Sequence, residues 1–143
     1  MATAEHSDTL SVSKSKLFSV ITKYQEYSQF VDGVSSVTVE RTAPGKARAT
    51  YKISLMGQDM VYTLDHEEDE AAGTLRWTLV ESNFFKKNTG GWKVTETSPT
   101  SVKVTYTLDV EFKISVPGFI LNRLVKGSLP PMVKAFEKRA KSS

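Results

Sequence analysis

Between Val102 and Lys113 the chain alternates without a break. Val102, Val104, Tyr106, Leu108, Val110 and Phe112 are apolar or aromatic, and Lys103, Thr105, Thr107, Asp109, Glu111 and Lys113 are polar. Successive strand side chains point to opposite faces, so this segment must bury one face and wet the other. An antiparallel sheet covered on one side meets that demand. The same period of two runs back to Val34. Val37 and Val39 lead to a turn at Pro44-Gly45, and Ala47, Ala49, Tyr51, Ile53 and Leu55 then share one parity. Met60, Tyr62 and Leu64 follow a turn at Met56-Gly57, and Leu75, Trp77 and Leu79 follow Ala71-Ala72-Gly73. Trp92 and Val94 lie between turn signals at Asn88-Thr89-Gly90 and Ser98-Pro99-Thr100. Asp65, Glu67, Glu68, Asp69 and Glu70 read as part of a hydrated hairpin loop. Turns at this spacing connect neighbouring strands as a meander. No strand–helix–strand alternation appears, which argues against a parallel α/β fold.

Helical spacing is confined to the two ends. Ser13 is placed to cap a helix carrying Leu17, Phe18, Ile21 and Tyr24, and Tyr27, Phe30 and Val31 form a second short piece stopped at Asp32-Gly33. After Pro117-Gly118 the period returns in Ile120, Leu121, Leu124 and Val125, then in Met132, Val133, Phe136 and Ala140. Pro130-Pro131 must kink or interrupt that helix, and Ser128 can restart it. Residues 1–7 read as a loose N-terminal tail, and Asp8, Leu10 and Val12 as a short strand. The expected fold is one α+β domain over residues 1–143. A curved antiparallel meander of about seven strands wraps a long kinked C-terminal helix, with two short helices after the first strand. A bent sheet closed over a single helix leaves room for a cavity.

Composition narrows the function. With 143 residues the chain is long enough for a self-sufficient core. With no cysteine and two histidines, His6 and His66, there is no thiolate zinc site, iron–sulfur cluster or cysteine nucleophile, and no metal or cofactor is expected. Ser13-Lys14-Ser15-Lys16 matches S-x-x-K but lacks the companion motifs, and Glu70 stands where a calcium loop needs glycine. There is no Walker loop and no dinucleotide fingerprint. The first residues lack a signal-peptide pattern and no apolar run approaches the ~20 residues of a membrane span, so a cytoplasmic protein is expected.

The net charge of +3 is uneven. Residues 113–143 carry seven cations against Glu137, which leaves the remainder acidic. Arg123, Lys126, Lys134, Lys138, Arg139 and Lys141 can meet an anionic membrane or ribosomal RNA, though the same cations suit a solvated helix face and its dipole. Specific DNA binding is not expected, since no motif accompanies the charge.

The order Leu10-Ser11-Val12, Leu17-Phe18-Ser19-Val20-Ile21 and the tyrosine-rich Tyr24 to Val34 continues with Gly90-Gly91-Trp92-Lys93-Val94, Val104-Thr105-Tyr106 and Pro117-Gly118-Phe119-Ile120. It resembles the START-like helix-grip superfamily (SRPBCC), in its polyketide cyclase/dehydrase and coenzyme Q-binding branch. The resemblance covers roughly residues 8–141. It implies an apolar cavity between sheet and C-terminal helix. The branch includes quinone-binding lipid chaperones, aromatase/cyclases acting on polyketides, and toxins that block ribosomal subunit association.

Strand parity nominates the cavity lining as Tyr51, Ile53, Met60, Tyr62, Leu64, Trp77, Leu79, Trp92, Val94, Tyr106 and Leu108. Leu121, Leu124, Val125, Met132, Val133 and Phe136 would face them from the helix. Plain core packing competes at each position, but the excess of tyrosine and tryptophan favours a ligand site, because such side chains join an apolar body to a polar tip. The expected function is binding, and transport, of a lipid, isoprenoid quinone or polyketide-like aromatic. A polyketide cyclase/dehydratase is the enzymatic alternative, and association with a ribosome or membrane the macromolecular one. Glu81 and Glu96 share the inward parity, and Glu81 is the weak catalytic candidate. His66 abuts the acidic run and reads as a surface imidazole.

Overall fold

A computed structural model of the chain describes residues 2–31, 33–55, 58–113, 115, 117–119, 127 and 129–142. Strand β1 (Ala2–Leu10) is followed by helix α1 (Lys14–Ile21) and a 3-10 helix (Tyr24–Gln29). Six strands come next: β2 (Val34–Ala43), β3 (Lys46–Leu55), β4 (Gln58–Asp69), β5 (Thr74–Ser82), β6 (Phe85–Ser98) and β7 (Ser101–Phe112). Helix α2 (Leu129–Lys141) ends the chain. The seven strands form one antiparallel sheet in the order β1-β7-β6-β5-β4-β3-β2, so β2 to β7 are a meander and β1 returns to pair with β7. The α+β helix-grip architecture expected from the sequence is the one observed.

The Ser13 hydroxyl accepts the Lys16 N–H at 3.2 Å and caps α1, whose Leu17, Phe18, Val20 and Ile21 are buried. In α2, Leu129, Val133, Phe136 and Ala140 form a buried stripe at helical spacing. Pro130 and Pro131 stand in the first turn of α2, where a missing N–H forfeits no helical bond. Most of the helical stretch expected before them, with Leu121, Arg123, Leu124, Val125, Lys126 and Ser128, lies outside the described residues, as does the Met56-Gly57 turn. Phe136 sets its ring against Tyr27 (5.1 Å), Phe30 (5.0 Å) and Trp92 (5.1 Å), which fixes α2 over the concave side of the sheet.

Four sequence expectations are corrected. Ala2–Leu10 is a strand in register with Val102–Val110, not a loose tail before residue 8. The open edge of β7 supplies a full row of backbone partners, so pairing does not depend on hydrophobic alternation within Ala2–Asp8. The acidic run is strand rather than loop as far as Asp69. Its charges meet cations on neighbouring strands: Asp65 accepts a two-pronged bond from Arg48 at 2.8 and 3.1 Å, and Glu67 stands opposite Lys46 and Arg76. Asn88-Thr89-Gly90-Gly91 lies inside β6 rather than forming a turn. A Cβ on Gly90 would fall 2.3 Å from the Thr107 carbonyl oxygen and 2.7 Å from the Trp77 ring, so glycine here permits a close crossing of backbone and indole. Finally, Glu81 points away from the concave face. A register shift sets Thr63 opposite Glu81 but Leu64 opposite Leu79, so Val80 is the extra residue of a bulge that reverses parity.

Candidate functional site

The concave face carries a continuous aromatic lining. Tyr51 and Tyr62, opposite each other on β3 and β4, stack at 5.1 Å, and Phe85 meets Tyr62 edge-on at 5.2 Å. Across the sheet, Tyr106 lies 5.4 Å from Trp77 and 5.1 Å from Trp92. Met60, Leu64 and Val94 are buried beside these rings, as are Val133 and Phe136 from α2. Ile53, Tyr62, Leu79, Leu108 and Met132 are half-buried and pack against this core. Leu121, Leu124 and Val125 belong to the undescribed segment.

The same face carries a polar group that its place in the acidic run had assigned to the surface. His66 is a buried imidazole, not a surface one, because β4 holds its phase through the acidic run. The Tyr51 hydroxyl and His66 Nε2 are 2.7 Å apart, and the Tyr24 ring stacks on the imidazole at 4.2 Å. His66 Nδ1 is shielded and has no hydrogen-bond partner among the described residues. Burial lowers the His66 pKa to about 4, Asp65 opposing and Arg41 adding to the effect. Tyr24 donates to Glu68 Oε2 at 2.5 Å, and Arg41 Nη1 donates to Glu68 Oε1 at 2.7 Å. Burial pushes the Tyr24 phenol up and Glu68 adds to this, and burial likewise raises Tyr51, Tyr62 and Tyr106. All four phenols are thus neutral hydrogen-bonding groups at physiological pH. The available signal for His66 was its parity with Leu64 and Tyr62, since one face of β4 continues across Asp65.

Glu81 is exposed on the convex side and Glu96 is exposed toward the end of β6. Neither is within the aromatic lining. Trp77 donates its indole N–H to Asn88 at 3.1 Å, a buried pair that holds the ring over Gly90.

An open depression of about 740 Å³ lies against β1, β6 and β7 at the start of α2. Ala4, His6, Gly90, Leu108 and Pro130 are among its lining residues. Its volume falls in the range of small-molecule sites. A smaller hollow of about 240 Å³ sits between α1, the 3-10 helix and the end of α2, where Arg139 donates to Glu26 at 2.8 Å and Gln29 at 2.6 Å.

The cations of α2 are drawn into the fold. Lys134 pairs with Asp8 at 3.2 Å and Glu137 at 3.5 Å, and Lys141 with Glu137 at 3.7 Å. Glu137 also accepts the Ser11 N–H at 2.8 Å, tying α2 to the segment after β1. Lys138 is exposed, and Arg123 and Lys126 are not described. Among the described residues no helix is long and apolar enough to cross a membrane, and no three His, Asp or Glu side chains are grouped to hold a metal ion.

Residues 10–137 match the model of the family described as polyketide cyclase / dehydrase and lipid transport. The chain belongs to that family. Among curated relatives, the ribosome association toxin RatA of Escherichia coli (strain K12) is 29% identical over 129 residues, spanning 90% of this chain and 80% of that protein. The fold is shared with a START superfamily protein from Mycobacterium smegmatis (19% identity, TM-score 0.85, covering 98% of this chain and 97% of that one). It is shared also with the Zhui aromatase/cyclase from Streptomyces sp. R1128 (13% identity, TM-score 0.87, 98% and 93% covered). The family match and these likenesses give the chain a polyketide cyclase / dehydrase and lipid transport family membership and a START-like fold.

Proposed function

We propose that the protein binds a hydrophobic small molecule, of the lipid, isoprenoid quinone or polyketide-like aromatic type, on the concave face between sheet and α2. The observation that carries this reading is the open depression of about 740 Å³, whose lining includes Leu108 and Gly90, the latter packed against the Trp77 ring. Apolar burial at about 25 cal/mol per Å² supplies affinity there. Native mass spectrometry of the purified protein, with solvent extraction of what it retains, tests the reading. An apolar adduct that is weakened or lost in Leu108→Trp, whose larger ring intrudes on the depression, is the expected result. Undiminished retention of the same adduct by a folded Leu108→Trp protein would remove the site from this face.

The relationship to the ribosome association toxins favours a second reading, association with a ribosomal subunit. The paired state of Lys134, Arg139 and Lys141 leaves α2 less cationic than its sequence. Co-sedimentation with ribosomal subunits at low and high salt separates the readings. Contacts to several phosphates weaken by about tenfold or more between roughly 50 and 200 mM salt, whereas apolar binding barely responds.

A further inference from the structure

Four phenols of the concave face share one interior. Tyr27 comes from the 3-10 helix, Tyr51 from β3, Tyr62 from β4 and Tyr106 from β7. Strands β5 and β6 lie between Tyr62 and Tyr106. Burial raises all four phenols, and beyond burial Tyr106 adds to the shift of Tyr62, while both add to those of Tyr27 and Tyr51. Phenols on strands that far apart act on one another only where the sheet curls and their rings point inward.

Two of the four are paired within the protein. Tyr27 donates to the Ile21 carbonyl, and the Tyr51 hydroxyl lies 2.7 Å from His66 Nε2. The Tyr62 and Tyr106 hydroxyls have no hydrogen-bond partner among the described residues. They are not sealed either: the unpaired side-chain atoms shut off from solvent among those residues are His6 Nε2, His66 Nδ1 and Asp109 Oδ1, and neither phenol oxygen is one of them. Tyr62 is half-buried and Tyr106 is 9% exposed. Aromatic rings flank both: Tyr51 at 5.1 Å and Phe85 at 5.2 Å from Tyr62, Trp77 at 5.4 Å and Trp92 at 5.1 Å from Tyr106. A hydroxyl in such surroundings is costly unless something pairs it, and phenylalanine would pack there without that cost.

We propose that Tyr62 and Tyr106 are the polar contacts for the bound molecule, and that it is an uncharged apolar compound carrying a carbonyl oxygen. The proposal rests on the ligand-binding reading above and adds the ligand's chemical class and its anchors. Tyr106 stands two residues from Leu108 on the same face of β7, so the anchors continue the surface to which that reading assigns the ligand. Both phenols stay protonated at neutral pH and are able to donate. A phenol donates more strongly than it accepts, because its oxygen lone pair is shared with the ring. A carbonyl oxygen, an acceptor with two lone pairs, is the complement. A hydrocarbon leaves both donors unpaired, and a carboxylate brings a charge that the neutral rings around them do not balance.

The test uses 9-fluorenone and fluorene, which share a fused-ring body and differ in the carbonyl oxygen. Binding of each is titrated against the wild-type protein, Tyr62→Phe and Tyr106→Phe. The hydroxyls removed bond to no described residue, so both variants should fold with little change in melting temperature. One neutral hydrogen bond predicts that fluorenone weakens about 3- to 10-fold in each variant, with fluorene unaffected. The carbonyl stretching frequency of bound fluorenone gives a second readout, which altered packing alone does not reproduce. It should lie lower in the wild type than in the protein carrying both substitutions. Unchanged fluorenone affinity in both variants, with the same carbonyl frequency, overturns the anchors and leaves the ligand-binding reading standing. Failure of both compounds to bind the wild type overturns both.

Discussion

Replacing His66 by phenylalanine isolates the effect of one buried imidazole on acid stability. His66 is 3% exposed, and burial holds its pKa at about 4 in the folded protein. In the unfolded chain it titrates near its ordinary value of about 6.5. Below that value the unfolded state takes up a proton that the folded state refuses. The stability contributed by neutral His66 is therefore complete above about pH 6.5 and is lost as pH falls toward 4. The full interval amounts to about 3 kcal/mol, of which about 2 kcal/mol falls between roughly pH 7 and pH 5, above the main carboxylate range. Urea unfolding followed by tryptophan fluorescence at those two pH values measures it. Phenylalanine preserves a ring against Tyr24 but leaves the Tyr51 hydroxyl unpaired, a loss of about 1–3 kcal/mol at both pH values. The expected signature is therefore in the slope: the wild type should lose about 2 kcal/mol more than His66→Phe on going from the higher to the lower pH. Equal losses in the two proteins would refute the assignment of His66 as a buried neutral group.

Three further outcomes follow from the same geometry. Phe136→Ala removes the ring that joins α2 to Tyr27, Phe30 and Trp92, and should cost about 3–5 kcal/mol in denaturant unfolding; a loss below about 1 kcal/mol would show that α2 is not anchored there. Gly90→Ala drives a Cβ into the Thr107 carbonyl oxygen and the Trp77 ring, so it should lower the melting temperature and alter tryptophan fluorescence, whereas an unchanged spectrum would contradict the crossing of Trp77 over β6. Glu81→Gln, on the convex side, should change stability by no more than about 0.5 kcal/mol and leave retained ligand unchanged, and loss of ligand in that variant would return Glu81 to the concave face.

The Val102–Phe112 alternation, the Ser13 cap and the Leu129–Ala140 stripe are local properties. Each is written in residues close in the chain, because side-chain period and capping geometry depend only on near neighbours. The sheet, its dry face and the helix that covers it were therefore legible before any coordinates. So was the aromatic lining, since Tyr51, Tyr62, Trp77, Trp92 and Tyr106 all obey strand parity. What only the tertiary structure decided involves partners far apart in sequence. Ala2–Leu10 is a strand because β7 offers it an edge about a hundred residues later. The Asp65–Asp69 run is a strand because cations on β3 and β5 neutralise it, which also carries His66 inside to Tyr51 and Tyr24. Gly90 serves the Trp77 ring rather than a turn. One bulge opposite Thr63 and Leu64 turned Glu81 outward, and no count along β5 alone reveals it, because a bulge exists only as a mismatch between two paired strands.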